Sequence, residues 1–164
     1  MLDEIAAADE ALLGCRGDEV LARLPKRLSH GVLAWAERTP KQLAVISEGC
    51  SLTYAELAAA VEECKMWLEA QGVKAGDRVM LIAENGPGLM AQFLAISELD
   101  AIAAVINARL SDREIDLIAA DCDPTLIVCT VDDSPESKLH SARLGCASVH
   151  LSVANFEFLV RKAI

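Results

Sequence analysis

Apolar residues follow two rhythms along this chain. Some stretches repeat them at three and four residues, and others run five or six together without a break. The first rhythm marks a helix with one buried face, the second a strand buried on both faces. Residues 6–13 are Ala-rich and apolar and predict a helix stopped by Gly14. A second helix is predicted over 29–38, with Val32, Leu33, Trp35 and Ala36 on one face, ended by Thr39-Pro40. Leu43–Ser47 and Cys50–Thr53 flank Glu48-Gly49 and predict a β-hairpin. Thr53-Tyr54-Ala55-Glu56 has the form of a capping box, opening a helix that runs to Ala70 and stops near Gly72. Leu57, Val61, Cys64 and Leu68 form its core-facing stripe.

From residue 78 onward the two rhythms alternate. Strands are predicted at Arg78–Ala83, 101–106, 125–129 and Ala147–Leu151. Between them come helices at Pro87–Glu98, from the capping box Ser111-Asp112-Arg113-Glu114 to about Cys122, and at Pro135–Leu144 closed by Gly145. Strand–helix alternation with fully apolar strands predicts an α/β fold: a doubly wound parallel sheet flanked by helices, a three-layer sandwich with N-terminal helices and a short hairpin. Residues 1–40 read as an N-terminal helical segment and residues 41–164 as the α/β domain. In such sheets ligands bind beyond the carboxyl ends of the strands. Those ends are Glu84-Asn85-Gly86, Asn107-Ala108-Arg109 and Thr130-Val131-Asp132.

Composition narrows the possibilities. The net charge of −10 disfavours nucleic acid, whose phosphates such a chain repels. Hydrophobic residues make up 53% and the mean hydropathy is +0.31, yet Glu84, Glu98, Asp100 and Asn107 interrupt every apolar run before the ~20 residues of a membrane span. The acidic start lacks the basic flank of a signal peptide, and the expectation is a soluble, cytoplasmic protein. Six cysteines without C-x-x-C spacing read as buried reduced thiols rather than as metal ligands.

Several segments, in order, resemble the N-terminal region of the adenylate-forming superfamily of acyl-CoA and aryl-CoA synthetases. They are Trp35-Ala36-Glu37-Arg38-Thr39-Pro40, Leu52-Thr53-Tyr54-Ala55-Glu56-Leu57, Gly76-Asp77-Arg78-Val79, and Val105-Ile106-Asn107-Ala108-Arg109-Leu110 followed by Glu114. The resemblance extends from about Leu28 to Val128. Two departures stand out: Ala108 where proline is common, and Leu99-Asp100 in place of Leu-Gly. The resemblance implies an acid–CoA ligase that forms an acyl-adenylate from ATP and passes the acyl group to coenzyme A, with ATP, magnesium and coenzyme A as the cofactors of the intact enzyme. The family's Ser/Thr/Gly-rich phosphate loop ending in Pro-Lys, its acidic motif and its lid lysine find no counterpart here. The expectation is therefore a truncated portion that is inactive alone, with the remainder of the ligase, or a second copy in a homodimer, as its partner.

One residue carries over to a site. Arg109 matches the arginine that the resemblance places near coenzyme A phosphate, and a guanidinium fork suits phosphate. The bland reading is an ion pair with Asp112 or Glu114. Asn85-Gly86-Pro87-Gly88 could receive an anion at a helix start but reads more simply as a turn. Asp132, Asp133 and Glu136 read as a solvated acidic turn, Trp35 and Trp67 as core anchors, and His30, His140 and His150 as non-catalytic. A rival to the ligase is a stand-alone α/β binding or interaction module.

Overall fold

The computed structural model describes residues 2–132, 134–151 and 156–162. Three helices come first: α1 (Leu2–Leu13), α2 (Gly17–Arg23) and α3 (Leu28–Arg38). Helix α2 escapes a reading based on apolar faces because it buries no residue. Leu12, Leu13, Leu21 and Leu24 stand exposed. Helix α3 is the one that docks. Ser29 is buried with its hydroxyl donating to Glu98, and Val32 packs on the core. Just before it, Arg27 donates to both Asp100 oxygens, at 2.7 and 2.6 Å. Trp35 is not the core anchor its helical position suggested. It is 48% exposed and stacks on Tyr54, ring centroids 6.2 Å apart. Trp67 does pack against the core.

The hairpin forms as the sequence implies, from β1 (Leu43–Ser47) and β2 (Cys50–Thr53), antiparallel and irregular between Leu43 and Val45. It feeds α4 (Tyr54–Ala70) through a complete capping box: Thr53 Oγ1 accepts from the Glu56 amide at 3.3 Å, and the Thr53 amide donates to Glu56 Oε2 at 2.8 Å. These bonds hold the Glu56 carboxyl below its ordinary range.

The remaining elements are β3 (Arg78–Ala83), α5 (Pro87–Glu98), β4 (Ile102–Asn107), α6 (Asp112–Cys122), β5 (Leu126–Thr130), α7 (Pro135–Leu144), β6 (Ala147–Leu151) and β7 (Phe156–Lys162). One sheet takes the order β4-β3-β5-β7-β6. Strands β4, β3 and β5 are parallel, as the apolar runs imply. Strand β6 joins the same sheet and runs in the same direction as these three, but it is hydrogen-bonded to none of them. Strand β7, which the apolar spacing did not reveal, lies between β5 and β6 and pairs antiparallel with both. The reason lies in the connection. Four residues separate Leu151 from Phe156, and a parallel return needs a crossover of a dozen or more. The chain must turn back as a hairpin, and it is the returning arm that pairs with β5.

Alternate strand residues divide the core. Val79 and Leu81 of β3, Leu126 and Val128 of β5, and Phe156 and Phe158 of β7 share one core with α4 and α5. Met80, Ile82, Ile127 and Cys129 share the other with Ile115 of α6. Helices thus cover both faces. The glycine in the first turn of α5 has a packing role here: a Cβ on Gly88 would sit 3.3 Å from the Phe158 ring. No helix among the described residues is long and apolar enough to cross a membrane.

Candidate functional site

The carboxyl ends of β3 and β4 lie side by side and frame an open cleft of about 510 Å³, lined by Glu84, Asn85, Leu89, Val105, Asn107 and Arg109 among others. Its floor is built by backbone pairing that continues past the strands. The amide of Ala108 donates to the Ala83 carbonyl at 3.1 Å. Proline has no such amide, so alanine at this place adds one rung to the β3–β4 ladder. Asn107 then turns the chain: its Oδ1 accepts from the Arg109 amide at 2.9 Å and its carbonyl from the Leu110 amide at 3.1 Å. The second capping box starts α6, with the Ser111 amide donating to Glu114 Oε2 at 2.8 Å.

Helix α7, which shares the second core with α6, braces this loop. His140 is 7% exposed, and its Nε2 donates to the Ala108 carbonyl at 3.0 Å. Its Nδ1 lies 3.1 Å from Asp112 Oδ1 but without hydrogen-bonding alignment. Ser137 Oγ donates to the Ile82 carbonyl at 2.8 Å, fixing the neighbouring strand end. Sequence reasoning passed over His140, and the only signal available to it was a histidine on a buried helical face.

Arg109 reaches out of this frame with its side chain 73% exposed. Its partner is neither Asp112 nor Glu114. Asp112 meets Arg143 Nε at 3.1 Å, and Glu114 is consumed by its cap. Arg109 Nε donates instead to Oε1 of Glu84, whose side chain is 18% exposed. Among the described residues its Nη1 and Nη2 have no hydrogen-bond partner, so the terminal edge of the guanidinium is free for an acceptor. Beside the polar cleft lies a more apolar pocket of about 330 Å³ formed by Gly86, Leu89, Met90, Phe93 and Val105 with Asn85. The arrangement can hold an anionic group at Arg109 with amide donors nearby and an apolar moiety alongside. These residues contain no nucleophile paired with a base.

Other candidates resolve differently. Asn85-Gly86-Pro87-Gly88 runs from the strand-to-helix turn into the first turn of α5, its first residue lining the cleft and its last packing on Phe158. Asp132 Oδ2 accepts from the Glu157 amide at 2.9 Å, tying the start of β7 to the end of β5. Asp133 lies outside the described residues. No group of three potential ligands among the described residues could hold a metal ion. None of the six cysteines forms a disulfide, but only Cys64 and Cys129 are buried, the other four being half-buried. Burial, with the Glu63 charge adding to it, pushes the Cys64 thiol up to about 12. A hydrogen bond with Cys146, together with burial, holds the Cys129 thiol protonated.

The model of the AMP-binding enzyme family matches residues 32–160. The chain is similar to the fatty acid–[acyl-carrier-protein] ligase MmaC of Mycobacterium marinum, 32% identical over 126 residues that make up 76% of this chain and 23% of that protein. It is also similar to a feruloyl-CoA synthase of Amycolatopsis, 32% identical over 106 residues, 62% of this chain and 22% of that one. Among solved structures, the N-terminal domain of FACL13 from Mycobacterium tuberculosis superposes with a TM-score of 0.60 at 28% identity, covering 63% of this chain and 26% of that chain. The chain thus spans about a quarter of the length of the relatives it matches. Both capping boxes, the Asn107–Leu110 turn and strands β3 to β6 fall within the matched span, and the chain belongs to the AMP-binding enzyme family.

Proposed function

We propose that this chain is the opening portion of an ATP-dependent acid–CoA ligase, which activates a carboxylic acid as its acyl-adenylate and passes the acyl group to the thiol of coenzyme A. On this reading residues 41–164 are the first part of a large N-terminal domain working in the cytoplasm. Arg109 is the chain's own contribution, contacting a phosphate of coenzyme A. ATP and magnesium are held by the remainder of the ligase, and the chain alone is inactive. Its natural partner is that remainder, or a second copy in a homodimer. The observation that carries the site assignment is the free terminal edge of Arg109 at the carboxyl ends of two parallel strands, where ligands of such sheets bind. A charge-assisted hydrogen bond contributes roughly 1.5–3 kcal/mol. The Arg109→Ala variant should therefore bind coenzyme A about tenfold or more weakly in equilibrium titration, since 1.4 kcal/mol is a factor of ten. Unchanged affinity would remove Arg109 from the site.

A further inference from the structure

Arg109 is not a bare cation. Glu84, mostly shielded from solvent, already accepts the hydrogen bond from its Nε–H, and the pairing leaves only the terminal edge to a ligand. A guanidinium is planar and rigid, so any anion bound at that edge sits one guanidinium width, roughly 6 Å, from the Glu84 carboxylate. Each negative charge on the ligand is attracted by Arg109 and repelled by Glu84. Both effects scale with the ligand's charge, so Glu84 subtracts from whatever advantage a more highly charged group gains at Arg109. A diphosphate bridge carries one charge on each phosphorus. A phosphate monoester near neutral pH carries about −1.5 to −2 on one.

We infer that Glu84 sets a charge limit on the Arg109 site, so that it accepts a phosphodiester-like group, such as the diphosphate bridge of coenzyme A, without favouring a terminal phosphate monoester. Glu84 also positions Arg109, because the Nε bond fixes the side chain that would otherwise sample many rotamers. The two roles separate chemically. Glutamine in place of Glu84 retains an oxygen to accept from Nε but removes the charge. Alanine removes both. The inference rests on the proposed coenzyme A contact and adds to it the class of phosphate recognised.

The test is titration of the 164-residue chain with coenzyme A and with 3′-dephospho-coenzyme A at low ionic strength, following heat and the Arg109 Nε–Hε resonance. The unaltered chain should bind the two ligands within about twofold of each other. Glu84→Gln should tighten coenzyme A over its dephospho form by about threefold, the factor one unit charge roughly 6 Å away exerts through a medium near bulk water. Added salt should erase that gain. Glu84→Ala should weaken both ligands and broaden or shift the Nε–Hε signal. A tenfold preference of the unaltered chain for coenzyme A, or a Glu84→Gln variant with no change in preference, overturns the charge limit while leaving Arg109 in place. Binding that survives Arg109→Ala unchanged, or no binding at all, overturns the coenzyme A reading itself.

Discussion

Asp100 has φ = 53°, a left-handed conformation that L-residues with a Cβ rarely adopt, and it stands where the family's Leu-Gly pattern has its glycine. Aspartate tolerates this region better than most residues. Here its carboxylate is held by both nitrogens of the Arg27 fork, which lowers the Asp100 carboxyl below its ordinary range. The departure from glycine thus links the start of α3 to the end of α5. Arg27→Ala should lower Tm in the natural background and have little effect once Asp100→Gly is also present. Equal losses in both backgrounds would show that the pair does not couple. Because the folded carboxyl is depressed, the stability it contributes is present above about pH 3.9 and is lost as pH falls through the lower folded value. Glu56 and Glu114, depressed by their caps, should behave alike in the same acid titration of Tm. Both capping boxes were legible because each joins residues three apart, and Arg109 was legible only through the resemblance of its segment. Glu84 as partner and His140 as brace were hidden, since the contacts of these side chains span 25 and 32 residues and depend on the sheet order.

At the scale of elements, unbroken apolar runs revealed β3 and β5, which are buried along nearly their whole length between two helical layers. Strand β4 keeps an apolar sequence although it is the sheet edge, with Ile102 and Val105 53% and 47% exposed. Strand β7 was lost for the converse reason. It is internal to the sheet, yet Glu157, Arg161 and Lys162 break its apolar pattern, and the short connection to β6 was the one clue to its direction. Phe158 makes β7 indispensable: it is 1% exposed and packs beneath the first turn of α5 at Gly88. Phe158→Ala should cost about 3–5 kcal/mol in urea unfolding. Gly88→Val, which forces a branched side chain against that ring, should cost about 1–3 kcal/mol. A valine variant as stable as the natural chain would mean that the ring and helix are not in close packing.

For the whole molecule, the order of the strands decides which surface stays open. The polar cleft at Arg109 stands open beside the exposed edge strand β4, and Met90, Val105 and Ile102 expose apolar surface along the same side. The N-terminal helices do not cover that surface fully, because α3 docks on α4 and α5 while Leu12, Leu13, Leu21 and Leu24 remain exposed. The sequence resembles part of longer ligases, and the chain spans about a quarter of the relatives named above. What it could not convey was which surface would be left open, since that follows from the position of β4 at the end of the sheet.

The account is tested most directly by acid-dependent exchange of pyrophosphate into ATP, measured on the chain alone and on the chain joined to the matching remainder of the Amycolatopsis feruloyl-CoA synthase. The account predicts no exchange above background from the chain and exchange from the joined protein. Exchange catalysed by the chain alone, or none from a joined protein that unfolds cooperatively, would contradict it.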